Sequence, residues 1–191
     1  MTNENHDRSD PVTAADDIRR LVTLVVDEVM AGGGSDAETV AIGADHGGFH
    51  LKQTLIEHLR GRGLDVHDCG CTSTDAVDYP DFAHAVANLV GTGVRRWGII
   101  IDGAGIGSCM VANKVPGVRA ALAYDVSTAR NSREHNHANV LTLGAGLIGE
   151  NLARQIVDEW LATPWGADRH ARRVAKITEV EQRYLRTGTE K

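Results

Sequence analysis

Three things are scarce in this 191-residue chain, and each scarcity excludes a class of protein. Cysteine is scarce, with only Cys69, Cys71 and Cys109. The odd count argues against a disulfide framework, and the C-x-C pair lacks the spacing of a paired zinc site, so a reducing compartment and no metal are expected. None of the nine histidines forms an H-E-x-x-H pair, and no histidine pair stands on a helix suited to metal. Long apolar runs are missing too; none approaches the roughly 20 residues that a bilayer requires. The N-terminus is acidic where a secretory leader would be basic, which predicts a soluble, cytoplasmic protein. Excess positive charge is the third absence. A net charge of −6 and a pI near 5.8 give no broad attraction to nucleic acid or anionic membrane. Any phosphate site has to be local, and the basic residues near the C-terminus are where it is expected.

What the chain does have is the stretch Trp97–Gly117, WGIIIDGAGIGSCMVANKVPG. Gly98, Ile99, Ile100 and Ile101 form a short apolar run of the kind that makes a parallel strand buried on both faces. Asp102 stands where that strand ends. Gly103, Gly105 and Gly107 then permit a tight turn whose N–H groups suit an anionic group or a developing oxyanion at the start of the next helix. GAGIG also resembles half of a dinucleotide fingerprint, with Asp125 about 20 residues on. That match is poor, because Ser108 takes the third glycine's place and Asp102 would set a carboxylate beside a pyrophosphate. A purely structural turn is the plainer reading to set against an anion site.

Along the chain, residues 14–30 place Ile18, Leu21, Val22, Val25, Val26, Val29 and Met30 on one apolar stripe, predicting an amphipathic helix. Gly32, Gly33, Gly34 and Ser35 follow as a flexible linker, so residues 1–35 read as an appendage and 36–191 as the main domain. From Thr39 onward the pattern alternates. Strands are expected near 39–43, 64–68, 97–102, 118–122 and 139–143; helices are expected near 48–62, 80–93, 107–114, 126–134, 149–162 and 170–186. This predicts an α/β fold, a doubly wound, Rossmann-like five-stranded parallel sheet with flanking helices and an appended N-terminal helix. Ligands in such sheets bind beyond the strand C-termini. That rule collects Asp45 and His46 after the first strand, Asp102 and its loop after the third, and Tyr124 and Asp125 after the fourth.

Five blocks in register, GADHGGFHLK at 43–52, DYPDFA at 78–83, DGAGIGSCMVANKVPGVRAA at 102–121, SREHNHANVL at 132–141 and DRHARRV at 168–174, resemble the ribose-5-phosphate isomerase B family, which includes the galactose-6-phosphate isomerase subunits. The likeness covers about residues 39–186. It implies metal-free, cofactor-free aldose–ketose isomerisation of a sugar phosphate, with ribose 5-phosphate and ribulose 5-phosphate as the leading pair. It also implies a homodimer or dimer of dimers with the active site at the subunit interface. Such chemistry needs ring opening, a base that shuttles a proton between C1 and C2, and donors for the enediolate. The family pattern maps ring opening to His135. Enediolate stabilisation falls to Asn136 and the amides of Gly103, Gly105 and Gly107, and hydroxyl binding to Asp45. Arg169 and Arg173, four apart with His170 between them, make the expected phosphate clamp together with His46, and Tyr79 walls the pocket.

The chain departs from that pattern. Asp102 occupies the position of the family's cysteine base, and Ser108 that of the glutamate base of another branch, so Asp102 is the expected replacement base. Ala104 stands where many members carry a hydroxyl, and Gly146 where many carry a phosphate-binding arginine. These changes make a tetrose or hexose phosphate a second candidate substrate. They also fit a subunit of a hetero-oligomeric isomerase, or a noncatalytic sugar-phosphate-binding protein. The added N-terminal helix resembles peptides that direct enzymes into bacterial microcompartments; packing on the enzyme's own dimer would cover its apolar stripe as well.

Overall fold

The structure, a computed structural model, describes residues 38–186; the amphipathic segment 14–30 and its glycine linker lie outside the described residues. The described chain alternates strand and helix up to a closing pair of helices: β1 (Thr39–Ala44), α1 (Phe49–Gly61), β2 (Asp65–Asp68), α2 (Tyr79–Gly91), β3 (Trp97–Asp102), α3 (Ile106–Ala112), β4 (Ala120–Leu122), α4 (Val126–Glu134), β5 (Val140–Gly144), α5 (Glu150–Ala162) and α6 (Ala167–Arg186). The five strands pair in the order β2-β1-β3-β5-β4, all parallel.

Side chains of a strand alternate between faces, and the two cores divide accordingly. Val40, Ile42, Ile99, Ile101, Leu141 and Leu143 face one way, against Leu51, Leu55 and Leu59 of α1 and Ile156, Val157 and Trp160 of α5. Ala41, Ile100 and Val140 face the other way, against Ala83, Val86, Ala87 and Val90 of α2. The small residues on this second face let α2 approach closely; a Cβ on Gly98 would lie 2.9 Å from a methyl of Val86.

β4 is shorter than the apolar pattern 118–122 predicts. Its lead-in is held by side chains as well as by the backbone beside β5: Arg119 N donates to Asn139 Oδ1 and Ala120 N to Asn113 Oδ1, while the Arg119 carbonyl accepts from Asn139 N. α6 begins at Ala167, three residues ahead of the predicted 170, because Gly166 N is tied to the carbonyl of Glu134 and the helix starts from that anchor.

Strand order reverses between β1 and β3, and ligands of open parallel sheets bind at such a switch point, outside the strand C-termini. Asp45 follows β1 and Asp102 ends β3, so both stand at that point.

Candidate functional site

The C-terminal edge of the sheet gathers one group of the expected residues. Asp45 is 8% exposed, and its Oδ1 accepts from Gly48 N at 3.0 Å. No Cβ fits at Gly48, where it would come within 2.5 Å of the Ile101 carbonyl, so the β1–α1 turn packs directly on β3. A Cβ at Gly47 would stand 3.4 Å from Asp45 Oδ1 and 3.7 Å from Gly103 N, which makes Asp45 a neighbour of the glycine loop. His46 is exposed, with Nδ1 3.2 Å from both N and O of Val77, so the backbone before α2 orients its ring. Tyr79, at the start of α2, covers Gly107; a Cβ there would lie 2.5 Å from the phenol ring.

Asp102 is 5% exposed, and both its oxygens are occupied. Oδ1 accepts from Ala104 N at 2.8 Å and from Gly105 N; Oδ2 accepts from Ser108 N at 3.1 Å and from the Ser108 hydroxyl. Gly105 is left-handed, φ 77°, and a Cβ on it would strike Leu122, so only glycine suits this turn. The loop's outer side is pinned as well, by Tyr124 Oη on the Ala104 carbonyl at 2.8 Å and by Gly146 N on the Gly103 carbonyl at 3.0 Å.

Two expectations change in consequence. The amide of Gly105 faces its own aspartate, which leaves the amides of Gly103 and Gly107 as the loop glycine donors for an anion. Asp102 would have to give up donors to accept a substrate proton, and a hydrogen bond to a charged group contributes about 1.5–3 kcal/mol. None of the cysteines offers a ready thiolate in its place. Burial pushes the thiols of Cys69, Cys71 and Cys109 up.

The second group lies on the opposite edge. α4 starts beyond the C-terminus of β4 and runs back to the N-terminus of β5, so His135, at its C-cap, stands a full strand length from Asp102. At about 3.3 Å per residue, the six residues of β3 put that at roughly 20 Å. His135 Nδ1 lies 2.9 Å from Asn131 Nδ2; the amide donates there and leaves Nε2 to carry the imidazole proton. The ring stacks on His170 at 4.3 Å and 16°, and Arg169 Nε donates to His170 Nε2 at 3.0 Å. Burial, then His135, Arg169 and Arg173, push His170 down. Asn136 is exposed and borders a cleft with Arg119 and Ile177. Arg173 is exposed one turn further along α6.

Within one chain the structure therefore brings together Asp45, His46, Tyr79, Asp102 and the loop glycines, and separately His135, Asn136, Arg169, His170 and Arg173. His46 does not meet the two arginines it was expected to join.

Several contacts escaped the sequence reading. Asn131 was legible, since N-x-x-x-H on a helix sets the two side chains on one face. Ser108 carries no such local signal, because its bond to Asp102 depends on the shape of the turn. Trp165, stacked on His137 at 4.1 Å, and His137 itself, at φ 53°, brace the same corner.

A family model described as Ribose/Galactose Isomerase matches residues 40–177. Ribose-5-phosphate isomerase B of Escherichia coli is 43% identical over 144 residues, 75% of this chain and 97% of that protein. The protein of that name from Mycobacterium tuberculosis H37Rv is 43% identical over 145 residues, 75% of this chain and 90% of its own length. Among solved structures, ribose-5-phosphate isomerase B of Clostridium thermocellum superposes with a TM-score of 0.75 at 47% identity, covering 76% of this chain and 99% of that one. The Mycoplasma genitalium enzyme with bound ribulose-5-phosphate gives 0.74 at 41% identity, covering 75% and 96%. A sheet wound about the β1–β3 switch point, with matches spanning nearly the whole of these relatives, places the chain in the ribose/galactose isomerase family.

Proposed function

We propose that this sugar-phosphate isomerase interconverts ribose 5-phosphate and ribulose 5-phosphate, without metal or organic cofactor, at a site shared between two copies of the chain. The observation that carries this reading is the placement of the two residue groups on opposite edges of one sheet. A two-fold dimer that set the C-terminal edge of one copy against the N-terminal edge of the other would build two equal sites. Ile106, Met110 and Leu147, exposed around the glycine loop, are apolar surface for such a contact.

In that site Arg169 and Arg173 of one copy and His46 of the other hold the phosphate. His135 Nε2–H hydrogen-bonds to the ring oxygen as the hemiacetal opens; the proton lost by the C1 hydroxyl ends on that oxygen, so the imidazole finishes neutral as it began. Asp45 accepts from substrate hydroxyls. Asp45, whose Oδ1 alone is held by a turn amide, takes the proton from C2 of the aldose, and negative charge gathers on the C1 oxygen, where Asn136 and the amides of Gly103 and Gly107 donate to it. Return of that proton from Asp45 to C1, with the C2 hydroxyl proton passing to the C1 oxygen, completes the ketose. Tyr79 closes the pocket over Gly107.

The test is complementation. Asp45→Asn and Arg173→Ala homodimers should each be nearly inactive with ribose 5-phosphate. Co-refolded at equal amounts, they should recover about a quarter of parental activity, since half of random dimers are mixed and each mixed dimer holds one intact site of two. No recovery, with mixed dimers shown to form, would overturn the shared site. A tetrose and a hexose phosphate assayed alongside fix the preferred chain length.

Residues 1–35 precede the matched region and are proposed to direct the enzyme to a protein shell. Their apolar stripe and glycine linker support this reading.

A further inference from the structure

We infer that Asp102 is a positioning residue, the pin of the glycine loop, and that Ser108 is its partner. This rests on the isomerase reading of the site and deepens it. The side chains of Asp102 and Ser108 are bonded to each other. Neither side chain is presented to a ligand. Asp102 is 5% exposed, Ser108 is fully buried, and the carboxylate takes three backbone amides and one hydroxyl from residues 104–108. Those donors lie on both sides of the turn, two before α3 and two within it, so one side chain fixes the path of the whole loop. Gly146 N and Tyr124 Oη hold the same loop from outside through its carbonyls. The residue thus acts through the amides it leaves free, those of Gly103 and Gly107, by fixing where they stand.

An asparagine in this position offers one acceptor oxygen where the carboxylate offers two. Its amide nitrogen would face either the N–H groups of Ala104 and Gly105 or that of Ser108. Loop order and anion binding should therefore fail together with turnover, whereas loss of a base would spare both.

The experiment uses the full-length protein and the variants Asp102→Asn and Ser108→Ala, the second serving if the first does not fold. Amide hydrogen exchange over residues 103–108, measured without ligand, should accelerate at least tenfold in either variant. A phosphorylated sugar hydroxamate, a planar mimic of the enediolate, should bind at least tenfold more weakly. The acid limb of the kcat/KM profile should stay at the parental pH. Parental exchange rates, together with hydroxamate binding within twofold of the parent and a hundredfold loss of turnover, would overturn the inference and make Asp102 the base. If the unaltered protein isomerises no phosphosugar, the isomerase reading fails by itself, and the exchange measurement still decides whether Asp102 pins the loop.

Discussion

His135 illustrates how a single side chain gets its role from its neighbours. The Asn131 amide on Nδ1 sets the tautomer, and the His170 ring beneath fixes the plane. His135→Asn should lower turnover of a cyclising pentose phosphate by about 10²–10⁴-fold, the usual reach of general acid–base catalysis. An open-chain substrate, which needs no ring opening, should lose far less. Progress curves for ribose 5-phosphate and for a tetrose phosphate too short to form the same ring compare the two directly, and equal losses would move His135 to another step. Asp45, His135 and Arg173 were legible in the sequence as candidates, because they fall in blocks whose residue types suit the proposed chemistry. The engagement of Asp102 was not. Whether a carboxylate at a strand end looks outward or curls back depends on how many loop amides reach it, and that is a property of the turn as folded.

At the scale of elements, the α1–β2 pair is joined by an ion pair. Lys52 is fully buried, and its Nζ sits 2.6 and 2.8 Å from the oxygens of Asp68 while its stem lies under Gly70. Asp68→Ala leaves that ammonium without its counter-ion and should destabilise the fold by about 3–5 kcal/mol. The double variant Lys52→Met with Asp68→Ala should recover most of the loss; denaturant titration of the three proteins checks both statements. The corner between α4 and α6 should respond to pH. Burial, with arginines nearby, pushes both His137 and His170 down, so the unfolded chain binds protons that the folded chain refuses. Their contribution is complete above the ordinary histidine value near 6.5 and is lost as pH falls below it. The thermal midpoint should drop between pH 7.5 and 5.5, and less so in His137→Phe; an equal drop in that variant would exclude His137. Arg133 is held differently, between the rings of Trp97 and Trp160, where burial brings its guanidinium down to about 10 and it stays charged throughout this range. Element order was readable from alternation alone, and most boundaries agree within two residues. The exception is the start of α6, three residues early, where a backbone anchor replaces periodicity.

For the molecule as a whole, the family match begins at residue 40, so the leader lies beyond what the relatives share. Removal of residues 1–35 should leave kcat and KM for a phosphosugar within about twofold, since no residue assigned to the site lies there. Fusion of the same segment to a fluorescent protein should concentrate it at a cognate shell; diffuse fluorescence beside intact shells, with activity lost on deletion, would instead make the segment part of the enzyme. None of the described helices is long and apolar enough to cross a membrane.

The two edges of the sheet also bear on how such a protein can diversify. On the proposed shared site, a chain that offers Asp45 and the glycine loop at one edge, and His135 with the α6 arginines at the other, never needs both in the same copy, provided a second copy faces it. After gene duplication, one descendant can lose the arginines of α6 and the other the β1 and β3 carboxylates, and the mixed pair still holds one working site. From that moment neither gene can be discarded. Obligate two-gene isomerases are thus within reach of this fold by loss alone, with no new residue required.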